Sequence, residues 1–359
     1  MSRFHSLRIR EVRPETRDAV SIAFEIPDHL AGQFRFSHGQ HLVVRTELAG
    51  EAVLRSYSIC SGVNDGELRV AVKRVAGGLF SAYANEALRP GHSLEVMAPA
   101  GQFGRPLDAS RHGRYLAVAA GSGITPILSI VKSTLEGEPH SQITLLYGNR
   151  SSGSAMFRDA LEDLKNRYLG RLNLIFVFSR EQQDIDLYNG RIDADKCGQF
   201  FSRWLDVPGL DAAFICGPQA MTETVRDQLR VHGMAPERIH FELFAARGDD
   251  SKRQVRQARS VEAVPELCDV TVISDGRAQA FAMARNQQSI LDAGNAQGAE
   301  LPYSCRAGVC STCKCRVIEG EVEMDANFAL EDYEVAAGYV LSCQSYPLSP
   351  KVVLDFDQL

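Results

Sequence analysis

Five of the nine cysteines of this 359-residue chain gather near its C-terminal end: Cys305, Cys310, Cys313 and Cys315 fall within eleven residues, and Cys343 follows Cys313 after 29 intervening positions. The chain opens Met1-Ser2-Arg3-Phe4-His5, without a cationic, apolar secretory start, so the cytoplasm is the expected location. Clustered cysteines in that setting point to metal ligation rather than disulfides. Cys305-x4-Cys310-x2-Cys313 needs one tight loop to bring three thiolates together. Gly308 lets such a loop curl inward, so that backbone N–H groups face a negatively charged centre. A fourth thiolate can come from a distant strand. Cys315 would share a face with Cys313 in an extended segment, which keeps it in play as a ligand. A structural zinc ion is the competing reading, although zinc sites usually use paired C-x2-C knuckles.

The length calls for more than one core, and the hydrophobic pattern changes twice. Residues 1–107 read as short strands separated by Gly and Pro turns: Ala19–Glu25, Gln40–Thr46, Ser56–Cys60, Glu67–Lys73 and Ser93–Met97. That spacing predicts an antiparallel β-barrel. Residues 108–245 alternate continuous apolar runs (Tyr115–Ala119, Gln142–Tyr147, Asn173–Phe178, Ala212–Ile215) with helical patterns at Pro126–Glu136, Ser154–Tyr168 and Ala220–His232. Such alternation predicts an α/β doubly wound parallel sheet. Residues 246–265 are rich in Arg, Asp and Gln and read as a linker. Residues 266–359 form a third domain, with strands at Cys268–Ile273 and Val352–Asp355 and a helix at Ser289–Gln297 ahead of the cysteine loop. The chain is thus expected to be multidomain.

Charge excludes some partners. Residues 266–359 hold fourteen acidic and six basic residues, net −8, against −6 for the whole chain. No segment is basic enough for nucleic acid. The longest apolar run, Leu116–Val131, is broken by Gly121, Gly123 and Pro126, so no membrane span is expected. The histidines show no metal-ligand spacing.

Gly121-Ser122-Gly123-Ile124-Thr125-Pro126 follows the first apolar run of the second domain. Strand, glycine turn and helix in this order let a dinucleotide pyrophosphate approach a helix N-terminus, and Pro126 suits the first helical turn. The next strand ends at Arg150 and the one after it at Ser179-Arg180. An acid near these ends would suit an NAD ribose; two arginines suggest the 2′-phosphate of NADPH, with surface arginines at a sheet edge as the plain alternative.

Three stretches carry a resemblance. Arg55-Ser56-Tyr57-Ser58 resembles the R-x-Y-S flavin motif of the ferredoxin-NADP reductase superfamily, Gly78-Leu79-Phe80-Ser81 its G-x-x-S phosphate motif, and Cys216-Gly217-Pro218 its C-G-P motif. The resemblance implies FAD, with Arg55 neutralising flavin phosphate, Tyr57 covering the isoalloxazine and Ser58 near flavin N5, where hydride arrives. It places Gly78 and Ser81 at the pyrophosphate, with a helix starting near Ser81, and Lys73 at the end of a flavin-lining strand. It sets Cys216, with Gly217 and Pro218, beside the nicotinamide, and Phe244 near the flavin face. Gly121, Gly123, Thr125, Pro126, Arg150 and Arg180 are then the NADPH (or NADH) contacts, with Ser58 and Cys216 at the point of hydride transfer. The cysteine spacing resembles plant-type ferredoxins, which implies an α+β β-grasp domain with a [2Fe–2S] cluster on Cys305, Cys310, Cys313 and Cys343 and leaves Cys315 a structural role. Flavin barrel, nucleotide domain and C-terminal ferredoxin, in that order, is the arrangement of oxygenase reductases. It implies an oxidoreductase that passes electrons from NAD(P)H through FAD and the cluster to a di-iron oxygenase component. Two alternatives are a reductase serving another aromatic-ring oxygenase and a zinc-stabilised interaction protein.

Overall fold

The computed structural model describes residues 4–244, 266–285, 287–330 and 332–358, so the expected linker 246–265 lies outside the described residues. Contacts divide the chain into two compact units, Phe4–Leu243 and a second that begins at Phe244.

The first unit opens with strands β1 (His5–Thr16), β2 (Ala19–Glu25), β3 (His41–Leu48), β4 (Glu51–Ser58) and β5 (Leu68–Lys73), then helix α1 (Leu79–Glu86) and strand β6 (Ser93–Val96). The strands pair antiparallel in the order β4-β3-β6-β1-β2-β5. A bridge from Ile59 to Val70 joins the two ends and closes the sheet into a barrel, which removes its free edges. Leu7, Ile9, Ile22, Phe24, Leu42 and Val44 fill the interior. β4 starts five residues before the expected Ser56. Ala49 and Gly50 both have positive φ, 55° and 82°, and Leu48 pairs with Glu51, a two-residue hairpin turn whose twist matches the strands. Ala-Gly is a weak sequence signal for that turn. α1 begins at Leu79, capped by Gly78, so Ser81 sits in its first turn.

The parallel sheet follows. It is built from β7 (Arg114–Ala120), β8 (Gln142–Asn149), β9 (Leu172–Phe178), β10 (Ala212–Cys216) and β11 (Ile239–Glu242), ordered β11-β10-β7-β8-β9. Side chains along β7 alternate: Tyr115, Ala117 and Ala119 join the core under α2 (Ile124–Gly137) and α3 (Arg158–Arg167), while Leu116 and Val118 join that under α4 (Ala194–Arg203) and α5 (Gln219–Val231). Burial on both faces explains the unbroken apolar runs. The cores of barrel and sheet also meet. Ala19, Cys60 and Ala71, from the barrel, pack in one cluster with Ile124, Ile127 and Val131 of α2, and the small side chains allow the close approach.

Two helices differ from expectation. α3 begins at Arg158 rather than Ser154, because Phe157 is buried with φ at +56°, a conformation no helix contains. α4 was not read from the sequence; Asp193 caps it by accepting from Lys196 N at 3.0 Å, and it buries Cys197, Phe200 and Phe201.

The second unit holds β12 (Leu267–Ser274), β13 (Arg277–Ala284), α6 (Ile290–Ala296), β14 (Lys314–Glu319), β15 (Val322–Met324), α7 (Asp332–Ala336), β16 (Tyr339–Leu341), β17 (Ser345–Pro347) and β18 (Lys351–Asp355). Five strands make a mixed sheet, β13-β12-β18-β14-β16, with β12 and β18 parallel, and β15 pairs with β17. Ser289 caps α6 by accepting from Asp292 N at 3.2 Å, and Ile290, Leu291 and Ala293 press onto Cys268, Val270 and Leu354. A helix laid across such a sheet is a β-grasp. Among the described residues no helix is long and apolar enough to cross a membrane.

Candidate functional site

Strand order reverses between β7 and β10, and ligands of open α/β sheets bind beyond the carboxyl ends of strands at such a switch point. Gly121, Gly123, Thr125 and Pro126 leave β7 there, and Cys216, Gly217 and Pro218 leave β10. The two turns touch. A Cβ on Gly123 would stand 2.1 Å from Cys216 O, so only glycine allows the approach. Gly121 has φ +55°, its carbonyl accepts from Tyr147 Oη at 3.0 Å, and Thr125 Oγ1 donates to Ser122 O at 3.0 Å. Thr222 Oγ1, in the first turn of α5, is buried without a hydrogen-bond partner among the described residues. Buried polar groups are normally paired, so a cradle with a spare polar group fits a polar nucleotide. Arg150 and Arg180 are exposed at the ends of β8 and β9.

The flavin motifs lie in the barrel. Arg55 and Tyr57 project from one face of β4; Arg55 is exposed and Tyr57 half-buried. Burial raises the Tyr57 phenol above its ordinary range. Its ring lies 5.3 Å from that of Phe80, which joins the Arg55–Ser58 stretch to the Gly78–Ser81 turn. Gly77 has φ +73°, and Ser81 Oγ spans the turn, accepting from Val75 N and donating to Gly78 O, both at 3.1 Å. Val75 and Leu79 are exposed apolar side chains at this turn. A tight glycine turn, a helix N-terminus and adjacent apolar surface suit a flavin phosphate and ring system. Lys73 ends β5, its Nζ 3.9 Å from Asp18 Oδ2.

One residue absent from the sequence reading joins the two halves. Ser58, 5% exposed, donates from Oγ to Glu242 Oε2 at 3.2 Å, and Glu242 is the register partner of Cys216 in the parallel ladder. Ser58, Cys216 and Glu242 therefore converge, the flavin motif meeting the nicotinamide motif. Burial, and then the Glu242 charge, hold the Cys216 thiol well above its ordinary range. It is a neutral packing group rather than a nucleophile. Phe244 is 42% exposed and begins the second unit.

In the second unit the four expected ligands come together as two hydrogen-bonded pairs, Cys305 with Cys310 and Cys313 with Cys343. The loop has Arg306 at φ +54° and Gly308 at φ +73°, and it aims N–H groups at sulfur: Ala307 N donates to Cys305 Sγ at 3.4 Å. The hydrogen bond within the second pair holds Cys343 below the ordinary thiol range and Cys313 above it. Among the described residues no three His, Cys, Asp or Glu side chains converge on a single ion, whereas two pairs in an N–H cradle suit a two-iron cluster. Cys315 is fully buried in β14 and donates to Val340 O at 3.8 Å.

Family models match in three consecutive blocks: the oxidoreductase FAD-binding domain at residues 6–104, the oxidoreductase NAD-binding domain at 117–227 and the 2Fe-2S iron-sulfur cluster binding domain at 272–348. The chain is 49% identical to a component of 1,2-phenylacetyl-CoA epoxidase from Escherichia coli (strain K12), over 99% of both chains.

The chain belongs to the family of oxygenase reductases with FAD-, NAD- and [2Fe–2S]-binding domains.

Other members of this reductase family are similar at greater distance. The ferredoxin reductase component of 3-ketosteroid-9-alpha-monooxygenase from Rhodococcus rhodochrous is 33% identical over 99% of this chain and 97% of its own. Phthalate dioxygenase reductase, described as modular for electron transfer from pyridine nucleotides to [2Fe–2S], is 25% identical, with 98% of both chains covered and a TM-score of 0.59. The chain is an oxidoreductase whose FAD, NAD and [2Fe–2S] domains occur in the expected order.

Proposed function

We propose that this reductase supplies electrons from NADPH to a di-iron oxygenase that epoxidises phenylacetyl-CoA during phenylacetate breakdown in the cytoplasm. The observation that carries the proposal is the 49% identity to the Escherichia coli epoxidase component, which runs through all three domains. More distant relatives named for other oxygenases fall to 34% and below.

Bound FAD would supply the conversion of a two-electron donor into single electrons, and a bound [2Fe–2S] cluster would supply one-electron transfer to the oxygenase. The protein supplies position and electrostatics. Gly121, Gly123, Thr125 and Pro126 hold the pyrophosphate of the dinucleotide, and Arg150 and Arg180 take its 2′-phosphate. Cys216, Gly217 and Pro218 form the nicotinamide wall. Arg55, Gly78 and Ser81 hold flavin phosphate, Tyr57 covers the ring, Lys73 ends a flavin-lining strand, and Phe244 is the aromatic expected near the flavin face. Ser58, oriented by Glu242, presents its hydroxyl where hydride arrives. Cys305, Cys310, Cys313 and Cys343 hold the iron.

Reconstitution tests the reading. Purified reductase, mixed with the oxygenase components of phenylacetyl-CoA epoxidase, should support NADPH-dependent epoxidation of phenylacetyl-CoA. If it supports only a ring hydroxylase or a steroid monooxygenase, the substrate assignment is wrong.

A further inference from the structure

The loops that follow β8 and β9 are tied together. Ser179 N donates to Asn149 O at 3.0 Å and Arg180 N to Arg150 O at 2.8 Å, so the two chains stay joined past the strands and the backbones of the two arginines meet at the sheet end. Glu181 then turns back across the gap. Its Oε2 accepts from Ser152 N at 2.8 Å and from Ser152 Oγ at 2.9 Å. Past this clasp the turn closes on itself, Ser151 N donating to Ser154 Oγ at 3.0 Å. The far loop is stitched too: Asn189 Oδ1 accepts from Gln183 N at 2.7 Å, and Asn189 Nδ2 donates to Gln183 O at 2.8 Å. Neither arginine makes an ion pair among the described residues. The nearest acid in sequence serves a serine and leaves both guanidinium groups open.

We propose that Glu181 is a positioning residue for nucleotide specificity: by clasping Ser152 it fixes the loop after β8 so that Arg150 and Arg180 form one fork for a 2′-phosphate. The inference rests on the NADPH reading above and deepens it. A phosphate dianion gains most from two guanidinium groups held in place. A loose loop must be ordered on binding, which lowers affinity. Both clasp bonds fall on one oxygen, so a glutamine can keep them while the carboxylate charge is lost, and an alanine loses both.

Calorimetry with the full holoprotein and two probes, 2′,5′-ADP and 5′-AMP, separates the possibilities, because the probes differ only by the 2′-phosphate. Wild type should favour 2′,5′-ADP. Glu181→Ala should reduce that preference about tenfold, in line with loss of hydrogen bonds to a charged group. Glu181→Gln should keep or raise it, and Ser152→Ala, which retains the N–H bond, should fall between. Retained flavin absorbance reports an intact fold in each variant. If wild type shows no preference, the two-arginine reading fails and the clasp with it. If wild type prefers 2′,5′-ADP and Glu181→Ala keeps that preference, the clasp alone is overturned. It is overturned equally if Glu181→Gln loses as much as Glu181→Ala, since bare charge would then be the cause.

Discussion

The Ser58 hydroxyl has a fixed direction because Glu242 Oε2 accepts its proton at 3.2 Å. Ser58→Ala should therefore leave FAD bound and slow flavin reduction by NADPH about tenfold, the effect expected for losing a charge-assisted hydrogen bond at the reacting centre; stopped-flow flavin absorbance measures it, and an unchanged rate would remove Ser58 from the hydride path. Ser58 was legible in its motif. Glu242 was not, since 184 residues separate the two and only the landing of β11 beside β10 brings them together; the acid two residues before Phe244 was the available signal. Cys315 shows the reverse case. Spacing alone left it a possible ligand, and only the strand register sends its thiol to Val340 O. Cys343→Ser should abolish the visible absorbance and the EPR signal of the cluster, whereas Cys315→Ser should retain both.

Among elements, the contact of the β7 and β10 turns is the tightest constraint. Gly123→Ala would place a methyl group 2.1 Å from Cys216 O. We expect a loss of about 1–3 kcal/mol in the first unit, as for overpacking elsewhere, together with weaker nucleotide binding; thermal unfolding and equilibrium binding check the two parts. Parallel strands were legible because burial on both faces writes an unbroken apolar run. α4 was harder to read, because Lys196 sits on its buried face beside Cys197. The early start of β4 rests on backbone conformation at Ala49, which no side-chain pattern announces. One buried and one half-buried histidine add a pH dependence. Burial lowers the pKa of His38 and of His240, the latter stacked on Phe214. Both bind protons less readily folded than unfolded, so their contribution is fully present above the ordinary histidine value, about 6.5. It is lost as pH falls from there through the lowered folded values. The melting temperature of the first unit should drop between pH 7.5 and 5.5, and His38→Gln should blunt the drop.

Over the whole molecule, charge is divided. Residues 266–359 carry net −8 within a chain of −6, an acidity that can steer this unit toward a complementary electron acceptor. Electrostatic steering of that kind weakens with salt. The rate of electron delivery to the oxygenase should fall as ionic strength rises, while flavin reduction within the chain changes little. The order of domains was legible in the motifs. The packing of barrel and nucleotide sheet into one unit was not, because Ala19, Cys60 and Ala71 are unremarkable small residues until α2 lies against them. Electrons should enter at the flavin and leave from the cluster. Anaerobic rapid mixing with NADPH, followed by absorbance and freeze-quench EPR, tests it most directly. Flavin bleaching should precede the EPR signal of a reduced [2Fe–2S] cluster, and Cys343→Ser should keep the first phase and lose the second. A wild-type flavin that is reduced while its cluster stays oxidised would contradict it.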